Sequence, residues 1–203
     1  MFPIVRREQF GPTTFLWDVK APDLARAARA GHFVMARIDQ RGERIPLTVA
    51  DFDRERGTVT VVIQAIGKTT YEMLALKEGE PILDFIGPLG LPSKIHRLDG
   101  TVVLVGGGLG VAPVFPQLRE YKRQGNRTIS IVGFRTRRSR SRALNASSGP
   151  AAANATFATA AGEASSSGTA RSSSSGRRRK SWWLYRTGAS GQSATGVPIS
   201  MST

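Results

Sequence analysis

Residues 101–113 read Thr101-Val102-Val103-Leu104-Val105-Gly106-Gly107-Gly108-Leu109-Gly110-Val111-Ala112-Pro113. An apolar, β-branched run breaks into four glycines and then opens a helix. Such a turn gathers bare backbone amides and a helix N-terminus at one point, which suits the diphosphate of a nucleotide. The run Thr101–Val105 reads as a strand covered on both faces. Val114, Leu118 and Tyr121 follow at helical spacing up to Lys122-Arg123, with a stop at Gly125, and Thr128–Phe134 reads as a second strand. Together these make a βαβ unit. Gly106, Gly108 and Gly110 alternate as in a dinucleotide loop, but Val111 stands where the common fingerprint has its third glycine. No Asp or Glu ends the second strand to accept from a ribose hydroxyl. A glycine-rich turn of this kind also serves packing alone, so the residues upstream decide.

Upstream the chain changes character. Pro3–Arg7, Thr14–Lys20, His32–Ile38, Pro46–Ala50, Thr58–Ile66 and Pro81–Ile86 are short, β-rich and separated by Gly, Pro or Asp. Six such strands in under a hundred residues predict a small antiparallel barrel. Phe15, Trp17 and Val19 alternate with Leu16 and Asp18, giving that strand one buried face and one partly wet face.

Two stretches in this region carry more than punctuation. In Arg44-Ile45-Pro46-Leu47-Thr48 the proline withholds a ladder donor, so the strand starts beside an open edge with Arg44 and Thr48 free to meet a ligand. Arg44 there is either a phosphate clamp or a solvated edge charge. In Gly67-Lys68-Thr69-Thr70-Tyr71-Glu72-Met73-Leu74, Thr69 and Glu72 have capping-box spacing ahead of an apolar helical run. Its start combines free amides, a lysine and two hydroxyls, which suits a diphosphate as well as it suits an ordinary cap.

In order along the chain, Arg44–Thr48, Ile63-Gln64-Ala65-Ile66-Gly67-Lys68-Thr69-Thr70, Gly87-Pro88-Leu89-Gly90 and the Gly106–Pro113 loop resemble the ferredoxin–NADP reductase type of flavin and pyridine-nucleotide electron-transfer proteins. Within it, the chain is most similar to the electron-transfer subunits of dihydroorotate dehydrogenase and of the sulfide dehydrogenase or NADH-dependent reduced ferredoxin:NADP oxidoreductase kind. The resemblance runs from about Phe2 to Thr136. It implies an FAD-binding antiparallel β-barrel over residues 1–98 and the start of an NAD(P)-binding α/β domain over 99–136. It also implies that Arg44, Pro46, Leu47 and Thr48 meet the isoalloxazine and phosphate of FAD, and that Ile63, Gln64 and Ala65 line the flavin. Thr69 and Thr70 would receive the diphosphate, and Gly106, Gly107, Gly108, Gly110, Ala112 and Pro113 would face the pyridine nucleotide. The implied chemistry is hydride transfer from NAD(P)H to FAD, then release of electrons to a catalytic flavoprotein or iron–sulfur partner subunit. No side chain need act as acid or base, and none is assigned a catalytic or metal-ligating role. His32 and His96, the two histidines, read as strand or loop residues.

Beyond Thr136 the chain departs from that pattern. Up to that residue there are 19 Lys+Arg and 14 Asp+Glu, a net of +5, so the remaining residues supply +9 of the total +14. They hold 16 serines, with runs at Ser165–Ser167 and Ser172–Ser175 and a basic cluster Arg177–Lys180. The family would continue through further α/β units to a cysteine cluster holding a [2Fe–2S] centre, but this chain has no cysteine. Residues 137–203 therefore read as a low-complexity basic tail: a binding arm for nucleic acid or an anionic surface beside Trp182-Trp183, a solvated linker, or an out-of-frame translation. The last is favoured, because composition changes inside a fold and two strands alone would leave an apolar sheet edge and face uncovered. Reading Trp182–Ser190 from the second codon base permits Gly-Gly-Tyr-Ile-Gly-Pro-Val-Pro, similar to a strand end of the family's nucleotide domain. A non-enzymatic basic binding module is the alternative function. No apolar run approaches a bilayer span, and Met1–Arg7 lacks the order of a secretory signal, so the cytoplasm is expected, without membrane or nucleic-acid partners.

Overall fold

The computed structural model describes residues 1–134 and the backbone of three further strands, Thr156–Ala160, Trp182–Arg186 and Thr195–Ile199. The first ninety residues form seven antiparallel strands: β1 Phe2–Gln9, β2 Thr14–Lys20, β3 Phe33–Arg37, β4 Ile45–Asp53, β5 Thr58–Gln64, β6 Pro81–Ile82 and β7 Asp84–Leu89. Their order across the sheet is β6-β1-β2-β5-β4-β3-β7. The two outermost strands are neighbours in sequence, with Leu83 alone between them. A sheet whose opposite edges are joined by one residue must curl into a barrel. Leu83 closes the seam by donating its N–H toward the carbonyls of Arg37 (3.0 Å) and Ile38 (3.2 Å). The single expected strand Pro81–Ile86 is thus two, because the chain leaves β1 and joins β3 at this point.

Alternation fills the barrel. Ile4, Phe15, Trp17, Val19, Val34, Val49, Val59, Val61 and Ile82 are fully buried, and Phe15 and Trp17 pack tilted with ring centroids 5.4 Å apart. Such an aromatic pair contributes about 0.5–1.5 kcal/mol beyond its area. Helix α1, Pro22–Ala27, starts with proline in its first turn and buries Leu24 and Ala25, lying against β5, β7 and β4. Helix α2, Lys68–Ala75, buries Met73 in the same core.

Its cap differs from the expected Thr69–Glu72 box. The N-cap is Gly67, which has no side chain to offer. The Thr70 hydroxyl serves instead, accepting from the N–H of Ile66 (2.9 Å) and of Gly67 (3.0 Å) and donating to the Gly67 carbonyl (2.9 Å). Glu72 faces Lys68 at 3.9 Å.

The second unit has β8 Thr101–Gly107, a 3₁₀ turn Gly108–Gly110, α3 Val111–Arg123 and β9 Arg127–Gly133. Strands β8 and β9 are parallel, as a βαβ unit requires. Asn126 ties it to the connector, accepting from the Leu98 N–H (2.8 Å) and donating to the Tyr121 and His96 carbonyls (2.9 and 3.2 Å).

Two expectations need correction. Among the described residues strand β8 is covered on one face: α3 lies there, while Val103 and Val105 on the other face are 52% and 67% exposed. An unbroken apolar run carries no mark of which face is covered. The unit also does not stop at two strands, because β10, Thr156–Ala160, adds in parallel to β9, whose free ladder edge accepts it. Strands β11, Trp182–Arg186, and β12, Thr195–Ile199, pair antiparallel. These three strands fall within residues 137–203, of which the serine runs and Arg177–Lys180 lie outside the described residues. No helix among the described residues is long and apolar enough to cross a membrane.

Candidate functional site

Strand β4 enters the barrel half-paired. Ile45–Thr48 pairs with β3, and β5 joins only from Val49, so Pro46 sits where its missing N–H costs no ladder bond. Alternation places Arg44, Pro46 and Thr48 on the exposed face and sends Leu47 into the core. Three of the four expected residues here therefore face solvent together. Leu47 does not, since its side chain is spent on packing and only its backbone remains available to a ligand.

The Arg44 guanidinium lies 3.2 Å from Asp84 Oδ2, the same oxygen that Arg37 holds at 2.6 Å. One carboxylate thus serves two guanidiniums, leaving the pair a net positive charge at the edge where Arg44 is half exposed. Beside it, the buried Thr69 at the start of α2 donates its hydroxyl to Glu43 Oε2 (3.2 Å). That contact brings the N-terminus of α2, with its unpaired first-turn amides, next to the start of β4. The Thr70 hydroxyl is committed to the cap. At the end of β5, Ile63 and Ala65 are buried and Gln64 is partly exposed between them.

The glycine turn Gly108–Gly110 packs against β5, the strand that ends at Ile63-Gln64. Within the loop the glycines are not equivalent. A Cβ on Gly106 would meet Val111 Cα at 3.0 Å and the Gly110 carbonyl oxygen at 3.1 Å, whereas one on Gly107, Gly108 or Gly110 would meet nothing within 4 Å. Gly106 is required by the close approach of strand and helix, and Gly108 by its φ of +53°. The open space at the other positions leaves backbone amides accessible, the property a diphosphate needs.

The donor set fits a flavin dinucleotide: a guanidinium with spare positive charge, the Thr48 hydroxyl, a helix N-terminus, and a glycine turn against the neighbouring strand β5. It does not fit an iron–sulfur centre, because the chain has no cysteine. Among the described residues no cluster of His, Asp or Glu could hold a metal. His32 is a structural residue: its Nδ1 accepts from the Arg29 N–H (3.1 Å), and burial, with nearby Arg29, lowers its pKa.

The sequence reading missed Arg37, Glu43 and Asp84, which set the charge around Arg44. It also missed a contact between the two units. The guanidinium of Arg119 on α3 pairs with Asp51 on β4 and lies 4.9 Å from the Phe52 ring centroid.

No family profile matches the chain. Over 143 residues it is 40% identical to an uncharacterized protein in the adh 3′ region of Clostridium beijerinckii, covering 68% of this chain and 48% of that one. Over 134 residues it is 42% identical to a dihydroorotate dehydrogenase B (NAD(+)) electron transfer subunit homolog of Thermotoga maritima, covering 66% and 47%. Among solved structures, a chain of the NADH-dependent reduced ferredoxin-NADP oxidoreductase superposes with a TM-score of 0.66 at 41% identity, covering 68% of this chain and 50% of that one. The ferredoxin reductase in carbazole 1,9a-dioxygenase shares the fold, with a TM-score of 0.65 at 15% identity over 80% of this chain and 50% of that one. The chain spans about half the length of the curated relatives it matches.

Proposed function

Because the chain belongs, through its first two thirds, to the ferredoxin–NADP reductase-like family of flavin and pyridine-nucleotide electron-transfer proteins, we propose that it is a flavoprotein electron-transfer subunit passing electrons between NAD(P)H and a partner through FAD. One observation carries this reading: Arg44, Pro46 and Thr48 stand exposed on the half-open start of β4, against the N-terminus of α2. FAD, when bound, supplies acceptance of a hydride from reduced nicotinamide and release of its electrons to an acceptor. Arg44 and Thr48 would hold the flavin's phosphate end, with Thr69 and the first-turn amides of α2. The Ile63–Ala65 segment would shape the wall beside the ring system, and the turn Gly106–Pro113 would take the pyridine nucleotide's diphosphate. Orientation is the whole task of these residues, since hydride transfer needs no protein acid or base.

The acceptor proposed is a catalytic flavoprotein or iron–sulfur subunit, and the compartment is the cytoplasm. This chain cannot hold the iron–sulfur centre itself by thiolate ligands. We also propose that residues 137–203 are translated out of frame. The matches to relatives, 134 and 143 residues long, are close to the length of chain that precedes the change in composition after Thr136. Sequencing the DNA that encodes Arg135–Ser141 tests this directly, and an intact frame overturns it. For the function, the test is titration of the purified chain with FAD, followed by addition of NADH or NADPH. Stoichiometric flavin binding with bleaching by a reduced nicotinamide supports the reading. A chain that takes up no flavin but retains polyanions would return the basic-module alternative.

A further inference from the structure

Strand β4 serves both units. Its start carries Arg44 and Thr48, and its end, past a register shift between Val49 and Asp51, meets α3. Leu47 and Val49 point into the core, and unbroken alternation would send Asp51 inward as well. The bulge at Ala50 resets the phase, so that Phe52 packs against the core and Asp51 turns out toward α3. There the Arg119 guanidinium pairs with the Asp51 carboxylate and lies over the Phe52 ring, whose centroid is also 5.2 Å from the Arg54 guanidinium. Both partners are largely withdrawn from water, with side-chain exposures of 28% and 33%. The pair joins a residue of the first unit, Asp51, to a residue of the second, Arg119.

Helix α3 begins at the glycine turn, and Arg119 lies eight residues further on, about 12 Å along the axis. Asp51 lies three residues beyond Thr48, about 10 Å along the strand. We propose that Arg119 is a positioning residue: gripped by Asp51 and the Phe52 ring, it fixes the angle at which α3 presents the nucleotide turn to the flavin end of β4. Burial pushes the Asp51 carboxyl up from its usual range, and Arg119 only partly pulls it back. The pair is therefore a poor source of stability, and its use is to select one docking of the two units over others. A planar guanidinium is suited to this, because it can stack on a ring while it bonds a carboxylate.

The grip is testable by geometry alone; its effect on electron transfer rests on the function proposed above. Since the chain has no cysteine, Lys77→Cys and Arg127→Cys place one spin label on each unit of the full-length protein. Dipolar spectroscopy on this background gives one narrow distance distribution if the units are docked. Arg119→Gln should broaden it, Arg119→Lys should restore part of the narrowing, and Asp51→Asn with Arg119→Gln, which leaves no unpaired buried charge, should stay broad. In the FAD-loaded, unlabelled proteins, Arg119→Gln should lower the limiting rate of flavin reduction by roughly tenfold or more through misplacement. FAD affinity and the KM for NAD(P)H should change little. Unchanged distances in both Gln-containing variants overturn the proposal, as does an unchanged limiting rate. Failure of the parent protein to bind FAD or be reduced overturns the electron-transfer reading instead, and the distances then judge the grip.

Discussion

Three alanine substitutions in one loop separate the roles of its glycines. At Gly106 the added methyl meets backbone atoms, with Val111 Cα at 3.0 Å, the Gly110 oxygen at 3.1 Å and Val111 N at 3.2 Å. None of these can rotate away, so strand β8 and the start of α3 must move apart, at a cost of about 1–3 kcal/mol typical of overpacking. At Gly108 there is room, but φ is +53°, and an L side chain in the left-handed region costs roughly 1–2 kcal/mol. At Gly110 φ is −64° and nothing lies within 4 Å, so alanine fits without strain and gains about 0.4–1 kcal/mol by restricting the unfolded chain. Urea denaturation, with hydrogen exchange at the α3 amides reporting the second unit separately, should rank the variants Gly110→Ala most stable, Gly108→Ala next and Gly106→Ala least. Gly106→Ala should also weaken reduction by NAD(P)H while leaving FAD affinity untouched. A Gly106→Ala protein as stable as Gly110→Ala would refute the close-approach reasoning.

Arg44→Ala should weaken FAD binding by about 1.5–3 kcal/mol, the worth of a charge-assisted hydrogen bond, and fluorescence titration giving equal affinities would remove Arg44 from the site. Thr70→Ala deletes the hydroxyl that accepts two N–H groups at the start of α2 and should lower the unfolding free energy measured by urea denaturation by about 0.5–2 kcal/mol. His32 has a folded pKa below 6.5, so its neutral form is favoured on folding. Its contribution is present above pH 6.5 and is lost as pH falls through the depressed folded value. Stability measured from pH 7 downward should therefore decline in that window, and His32→Gln should remove this part of the slope.

The barrel was legible because period-two alternation and Gly, Pro and Asp punctuation are local signals. What escaped was set by partners distant in sequence. The bulge at Ala50 reverses the inside–outside phase of β4, so Asp51 reads as a core position interrupted by a charge, and nothing near it announces Arg119. The cap of α2 was placed wrongly because the residue before the helix is a bare glycine and the working hydroxyl reaches backward from Thr70. Helix α1 is six residues long, too short for periodicity, although Pro22-Asp23 marks its start. The proline between Arg44 and Thr48 marks the half-paired strand start on which both stand exposed. Leu47, on the opposite face of the strand, packs its side chain in the core and offers a ligand only its backbone.

The seam of the barrel governs the order in which the molecule is made. Strand β1 pairs with β6 through Phe2 and Ile82, contacts separated by eighty residues of chain. During synthesis the first strand must therefore wait, with one edge unsatisfied, until Ile82 has left the ribosome, and closure carries the slow kinetics of distant pairing. The βαβ unit consists of near neighbours and assembles as soon as β9 emerges. The oldest part of the chain is thus late to lock, and extensions or truncations at Phe2–Gln9 act on the yield of folded barrel before they act on any property of the finished protein.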